Sequence, residues 1–256
     1  MKRIDFIGAP GVGKTSIYRE LLRQRTKKDN WLTYDEAKIK IAEQYILKDK
    51  KYLKLVLLKA SLFKNIHIFV ADRILEKYYN KSLWNKRNEY NHFLSAVMEG
   101  ILIERKEPVR KLIGINWFFE LIREVAFLEN SKISGMFLFD ESLSQKIYGL
   151  TEYNQRLSKN IVRDYFNAMP PPDILIYCYA DFGTLLDRLN NRKNRIPVHH
   201  GLNNDQLKTV ILNHMNISLI AKNILKKRNI PIIAVDTNNN IKTNAKEILN
   251  LIRRYQ

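Results

Sequence analysis

Eight consecutive residues near the start of the chain have the types and spacing needed to hold a phosphate tail. Gly8-Ala9-Pro10-Gly11-Val12-Gly13-Lys14-Thr15 fits the pattern G-x-x-x-x-G-K-[ST] in full. Glycines let successive backbone N–H groups turn inward toward phosphate oxygens without Cβ clashes. A helix opening at Lys14 would add the partial positive charge of its N-terminus at the same place. The Lys14 ammonium would then reach the β- and γ-phosphates, and the Thr15 hydroxyl would ligate Mg²⁺. Glycine is scarce in this chain, nine in total, and three of the nine lie in this one loop, so composition alone does not produce the match. The reading is a nucleoside triphosphate site made by Gly8, Ala9, Pro10, Gly11, Val12, Gly13, Lys14, Thr15 and Ser16.

A second chemical element is the carboxylate at the end of Met136-Phe137-Leu138-Phe139-Asp140-Glu141-Ser142. A buried parallel strand delivers its last residues to the carboxyl edge of a sheet, where ligands sit. Asp140 is therefore expected to fix the magnesium shell, directly or through water. Phosphoryl transfer also needs cations to stabilise the charge spread over the transferring group. Arg188, Arg192 and Arg195 are spaced along a helix and the polar stretch after it, and they are expected to close over the triphosphate. The His199–His200 pair has no Cys or acid at ligand spacing and does not read as a metal site.

These residues require a particular set of elements. Lys2–Ile7 reads as a short buried strand and Ser16–Arg25 as the helix after it, with Ile17, Leu21 and Leu22 at helical spacing. Further strands are expected near Trp31–Tyr34, at Asp173–Tyr179 and at Ile230–Val235, with a closing helix over Ala245–Arg254. Residues 37–135 carry few breakers, and their apolar residues recur at three and four, including a Lys-rich run around Leu53–Leu58. That stretch is expected to be a helical insertion walling an acceptor cavity, with Tyr78, Tyr79, Trp84, Tyr90 and Trp117 as stacking candidates. Arg73, Arg105, Arg110 and Arg123 are its candidate acceptor-binding charges. The fold class is α/β, a P-loop NTPase three-layer sandwich with a parallel sheet, in one domain formed by a core (1–36 and 136–256) and the insertion.

Taken together, the phosphate loop, the Asp35–Glu36 pair, "FLFDESLSQKIY" and "PDILIYCYADFGTLLDRLNNRKNR" resemble the P-loop kinases of small molecules, particularly the deoxynucleoside kinase and thymidylate kinase group. The resemblance implies an ATP- and Mg²⁺-dependent phosphotransferase acting on a hydroxyl or phosphate of a small-molecule acceptor, with a nucleoside or nucleotide favoured. It also implies that Asp35 or Glu36 is the base that orients the acceptor hydroxyl, that the three arginines form a lid, and that Asp236 belongs to a loop against the adenine. Glu141 stands where that group typically has Arg, and a carboxylate there would repel a phosphate acceptor. The alternatives are a kinase of a sugar, a glycan or a nucleic-acid 5′-hydroxyl, or a nucleic-acid-associated ATPase. A GTPase lacks its guanine-reading motif, since Asn85-Lys86-Arg87-Asn88 has Asn in place of the final Asp.

Composition sets the outer bounds. The 256 residues are 45% hydrophobic and 11% aromatic, enough for a sizeable core. A single cysteine excludes a disulfide framework. With no long apolar segment and no signal-peptide pattern, a cytoplasmic protein is the expectation. The net charge of +18 is spread along the chain, with 27 basic against 16 acidic residues up to position 135 and 17 against 10 after it. Such a field attracts polyanions, so nucleic acid or an anionic glycan is a possible partner alongside a nucleotide.

Overall fold

A computed structural model describes residues 1–26, 28–48, 64–150, 156–192 and 202–255. Five strands are described: β1 (Lys2–Ile7), β2 (Trp31–Thr33), β3 (Met136–Phe139), β4 (Ile174–Tyr179) and β5 (Ile232–Asp236). They form one sheet in the order β2-β3-β1-β4-β5, and every pairing is parallel. The strands are short apolar runs because a parallel sheet covered by helices on both faces leaves no side open to water. Alternate residues divide cleanly between the faces. Ile4, Phe6, Met136, Leu138, Ile174 and Ile176 enter one buried cluster, while Ile7, Phe137, Phe139 and Leu175 enter the other.

The first face is covered by α1 (Lys14–Gln24) and α10 (Ile241–Arg253), whose Ile17, Leu21, Ile248 and Ile252 are buried there. The second face is covered by the helices between β2 and β3: α2 (Tyr34–Lys48), α3 (Lys64–Asn85), α4 (Arg87–Glu104) and α5 (Pro108–Glu129). Ile41, Leu75, Phe93, Phe118 and Ile122 of these helices share one buried cluster with Phe137 and Phe139 of the sheet. The chain continues through a short turn of helix, α6 (Leu143–Lys146), then α7 (Lys159–Ala168), α8 (Phe182–Asn190) and α9 (Asn204–Lys227). Three layers result, helices–sheet–helices, as the α/β expectation requires.

One face of β1 departs from the apolar pattern. Arg3 and Asp5 are fully buried and form an ion pair, Arg3 Nε to Asp5 Oδ1 at 3.0 Å. The same guanidinium donates to Glu129 Oε1 of α5 at 2.5 Å and to the Pro170 carbonyl at 2.6 Å. Ser144 donates to Asp5 Oδ2, and Tyr90 donates to Glu129. A charge this deep survives only when paired and hydrogen-bonded on several sides. Burial works against the Arg3 charge, but Asp5 and Glu129 outweigh it and hold the guanidinium protonated.

Several boundaries differ from the sequence reading for identifiable reasons. The helix after β2 begins at Tyr34 and not at Ala37, because Thr33 and Glu36 form a reciprocal cap. The closing helix begins at Ile241, four residues earlier than expected, because the Asn240 side chain accepts from the N–H groups of Lys242 and Thr243. Helix α8 ends at Asn190, so Arg192 lies in the turn beyond it. Arg195, the His199–His200 pair and the run around Leu53–Leu58 lie outside the described residues.

Candidate active site

The loop from Gly8 to Gly13 joins the carboxyl end of β1 to the first turn of α1, at the point where the strand order reverses. Two glycines are required by backbone geometry. Gly11 and Gly13 have φ of 80° and 89°, in the left-handed region that side chains disfavour. Gly8 is required by proximity, since a Cβ there would lie 2.6 Å from the Cys178 carbonyl oxygen. Ala9 and Val12 are buried and pack beneath the loop, while Pro10, Gly11, Gly13, Lys14, Thr15 and Ser16 face a cavity. Lys14 is half-buried, with its ammonium folded back to donate to the carbonyls of Gly8 at 2.6 Å and Ala9 at 3.2 Å. Burial pushes that ammonium down to about 8, against the pull of Glu141 and Asp140 in the opposite direction.

The cavity has a volume of about 580 Å³. It brings together Lys14, Thr15, Arg19, Asp140, Arg188 and Arg192. Five of these six belong to the residues singled out from sequence; Arg19 does not. Asp140 leaves β3 with its carboxyl held above the usual range, by burial first and then by the charge of Glu141 beside it. No group of three or more His, Cys, Asp or Glu among the described residues would hold a metal by itself. The Asp140 carboxylate and the exposed Thr15, which line the same cavity, suit Mg²⁺, which keeps its waters and takes further oxygens from phosphates. A cation there would also relieve the repulsion that raises the Asp140 carboxyl.

A separate cavity of about 370 Å³ adjoins the other side of the loop, lined by Gly11, Gly13, Arg188, Thr237, Asn238 and Asn244, among others. Arg188 spans both cavities and is tied to the β5–α10 turn, donating to Thr237 Oγ1 at 3.0 Å and to its carbonyl at 2.8 Å. Asp236 occupies the end of β5, but its carboxylate is turned to the Asn238 N–H and its carbonyl to the Asn244 side chain. It shapes this turn, and Thr237, Asn238 and Asn239 line the cavity in its place.

The Asp35–Glu36 pair lines neither cavity. Glu36 is held by Arg25 through two hydrogen bonds of 2.5 and 2.7 Å and accepts from the Thr33 N–H, so its carboxyl lies below the usual range, chiefly through Arg25. A carboxylate stabilised this way is a poor proton acceptor. Burial first, and then the charges of Asp140, Asp35 and Glu36, push the Tyr18 hydroxyl up.

Beyond Asp140 a third cavity, about 340 Å³, is lined by Arg105, Trp117, Glu141, Gln145, Lys146 and Tyr148, among others. Glu141, Gln145 and Tyr148 also line the phosphate cavity, so the two adjoin. Gln145 accepts from the Gly8 N–H at 3.2 Å, linking α6 to the start of the loop. Lys146 pairs with Glu141 and lies 4.8 Å from the Trp117 ring centre. Of the aromatic candidates, Trp117 alone lines this cavity. Tyr79 and Tyr90 are core, Tyr78 packs on Tyr45 at 4.2 Å, and Trp84 is an exposed surface ring beneath Arg87. Of the candidate arginines, Arg105 reaches the cavity, while Arg73, Arg110 and Arg123 pair with Glu76, Glu107 and Glu120 of their own helices. Sequence reasoning missed Arg19, Gln145 and Tyr148. Arg19 had only its position one turn after Thr15 as a signal, while Gln145 and Tyr148 lie within the quoted stretch "FLFDESLSQKIY" without having been singled out.

No family model and no curated protein matches this sequence. Among solved structures, the chain is similar to the deoxyadenosine kinase from M. mycoides with bound dCTP, at 16% identity and a TM-score of 0.43 over 98% of this chain and 99% of that one. It is similar to the same enzyme with bound dATP at 16% identity and a TM-score of 0.40, over 99% and 100% of the two chains. The strand order, the glycine geometry and the placement of Lys14 at the first turn of α1, independently of those likenesses, make this chain an α/β sandwich of the phosphate-loop kind.

Proposed function

We propose that the chain is an ATP- and Mg²⁺-dependent phosphotransferase that moves the γ-phosphate to a hydroxyl of a small-molecule acceptor, with a nucleoside the leading class. The observation that carries this reading is the adjoining pair of cavities. One holds Lys14, Thr15 and Asp140, and the other opens beyond Asp140 toward Trp117. A switch or motor ATPase needs only the first. A kinase needs a second, adjacent compartment for the group that receives the phosphate.

In this reading the turn Thr237–Asn239 receives the base, and Arg188 fixes that turn while touching the phosphate tail. The loop amides and Lys14 hold the β- and γ-phosphates. When bound, Mg²⁺ would be held by Thr15 and Asp140 and would neutralise charge on the phosphate oxygens. Arg192 approaches from the α8 side. Glu36 does not orient the acceptor hydroxyl in this reading, because its carboxylate is committed to Arg25 and to the cap of α2. Glu141 beside the γ-phosphate position disfavours an acceptor that is itself a phosphate, which is why a hydroxyl is preferred.

The test is transfer of label from γ-³²P-ATP to a panel of nucleosides, sugars and 5′-hydroxyl oligonucleotides with Mg²⁺ present. The proposal expects one neutral hydroxyl acceptor to be labelled and Lys14→Ala to abolish the labelling. Hydrolysis alone across the panel, unchanged by any acceptor, would overturn it.

A further inference from the structure

Arg19 takes no part in the pattern that defines the loop, yet it reaches the phosphate cavity. It lies on α1 four residues after Thr15, so the two share one face of the helix. The rise between them is about 6 Å. Helical side chains lean toward the N-terminus and cover the preceding turn. A long arginine side chain at this position is therefore directed back along α1 toward the loop, which agrees with Arg19 lining the same cavity as Lys14, Thr15 and Asp140.

Several neighbouring cations already have partners. Arg23 pairs with Glu20, Arg25 with Glu36, and Arg188 with Thr237. Arg19 forms no ion pair or hydrogen bond among the described residues, and its side chain is exposed. It also does not line the base-side cavity, where Ser16 and Ile17 of the same helix do. An unengaged guanidinium thus lines the same cavity as Lys14, Asp140 and Glu141 and does not line the cavity assigned to the base.

We infer that Arg19 is a further phosphate-binding residue that grips the γ-phosphate from the α1 side, opposite Arg192. The inference rests on the proposed triphosphate site and goes beyond it by naming a selectivity of that site: a nucleoside triphosphate is preferred over the diphosphate through a contact that the loop motif does not include. A guanidinium suits the task because its planar fork gives two parallel hydrogen bonds to phosphate oxygens.

The experiment is a fluorescence titration of the full chain with the methylanthraniloyl derivatives of AMP-PNP and ADP, in Mg²⁺, for the native protein, Arg19→Ala and Arg19→Lys. Arg19→Ala is expected to weaken AMP-PNP about tenfold, the effect of one charge-assisted contact, and to change ADP less than twofold. Arg19→Lys is expected to recover part of the loss, and both variants should melt at the native temperature because the side chain is exposed. Equal losses for the two nucleotides, or no loss for either, would overturn the inference while leaving the triphosphate site standing. A native protein that binds neither nucleotide would remove the site and the inference with it.

Discussion

Lys14 shows how the loop is held ready before a ligand arrives. Its ammonium donates to the carbonyls of Gly8 and Ala9, so the charge is partly solvated by the loop it serves, and burial lowers its proton affinity to about 8. A bound triphosphate favours the charged form, so the proton affinity of Lys14 is higher in the complex than in the free chain. Nucleotide affinity should then be complete below about pH 8 and fall as the pH rises through and above that value. Titration of a non-hydrolysable ATP analogue between pH 6.5 and 9.5, on the order of one unit either side of that midpoint, checks this. Lys14→Arg, which stays charged throughout, should flatten the profile, and a native profile with no decline above pH 8 would contradict the account. At this scale the motif was fully legible, because its residues are adjacent in the chain and each type has one physical reason to be there. The hydrogen-bond partners of Glu36 and Asp236 were not. Glu36 is claimed by Arg25 from the preceding loop, and Asp236 by the Asn238 N–H, and neither pairing follows from residue type.

The elements deliver these residues through a core that is not wholly apolar. β1 ends in the loop, and two of its six residues form the buried Arg3–Asp5 pair that α5 completes through Glu129. The strand carrying Lys14's loop is therefore fastened to the helical layer by charge as well as by packing. Arg3→Met keeps comparable bulk but leaves the buried Asp5 without its cation and Glu129 with Lys86 alone. Breaking a buried pair from one side costs roughly 3–5 kcal/mol. Urea unfolding of the variant should show a loss of that order with an unchanged slope, and a loss below about 1 kcal/mol would mean that the network contributes little. The strands themselves were readable as apolar runs, since a parallel sheet buried on both faces demands them, and β1 and β4 fall within a residue of their expected bounds. Helix α9 was not anticipated. Its boundary is set by the Asn203–Gln206 capping box, a local signal that the search for phosphate-binding residues passed over.

Among the described residues, the phosphate cavity shares Gly11, Gly13, Ser16 and Arg188 with one neighbouring cavity and Glu141, Gln145 and Tyr148 with another. The helices between β2 and β3 and one face of the sheet bury their side chains in a common cluster that includes Tyr148 of the third cavity, while Ala9 and Val12 beneath the phosphate loop belong to the cluster on the other face. Among the described residues, no helix is long and apolar enough to cross a membrane. The net charge of +18 gives the molecule a field that draws any anionic nucleotide toward it, without regard to the structure of the polyanion. The proposed triphosphate site predicts binding beyond that field, so the decisive measurement compares specific with field-driven binding. Calorimetric titration of the folded chain with AMP-PNP, with and without Mg²⁺ and at two salt concentrations, makes that comparison. The account predicts one site per chain, tighter by about tenfold or more with Mg²⁺, retained at high salt and lost in Lys14→Ala. No binding, or binding that vanishes with salt and is indifferent to both Mg²⁺ and Lys14, would contradict it.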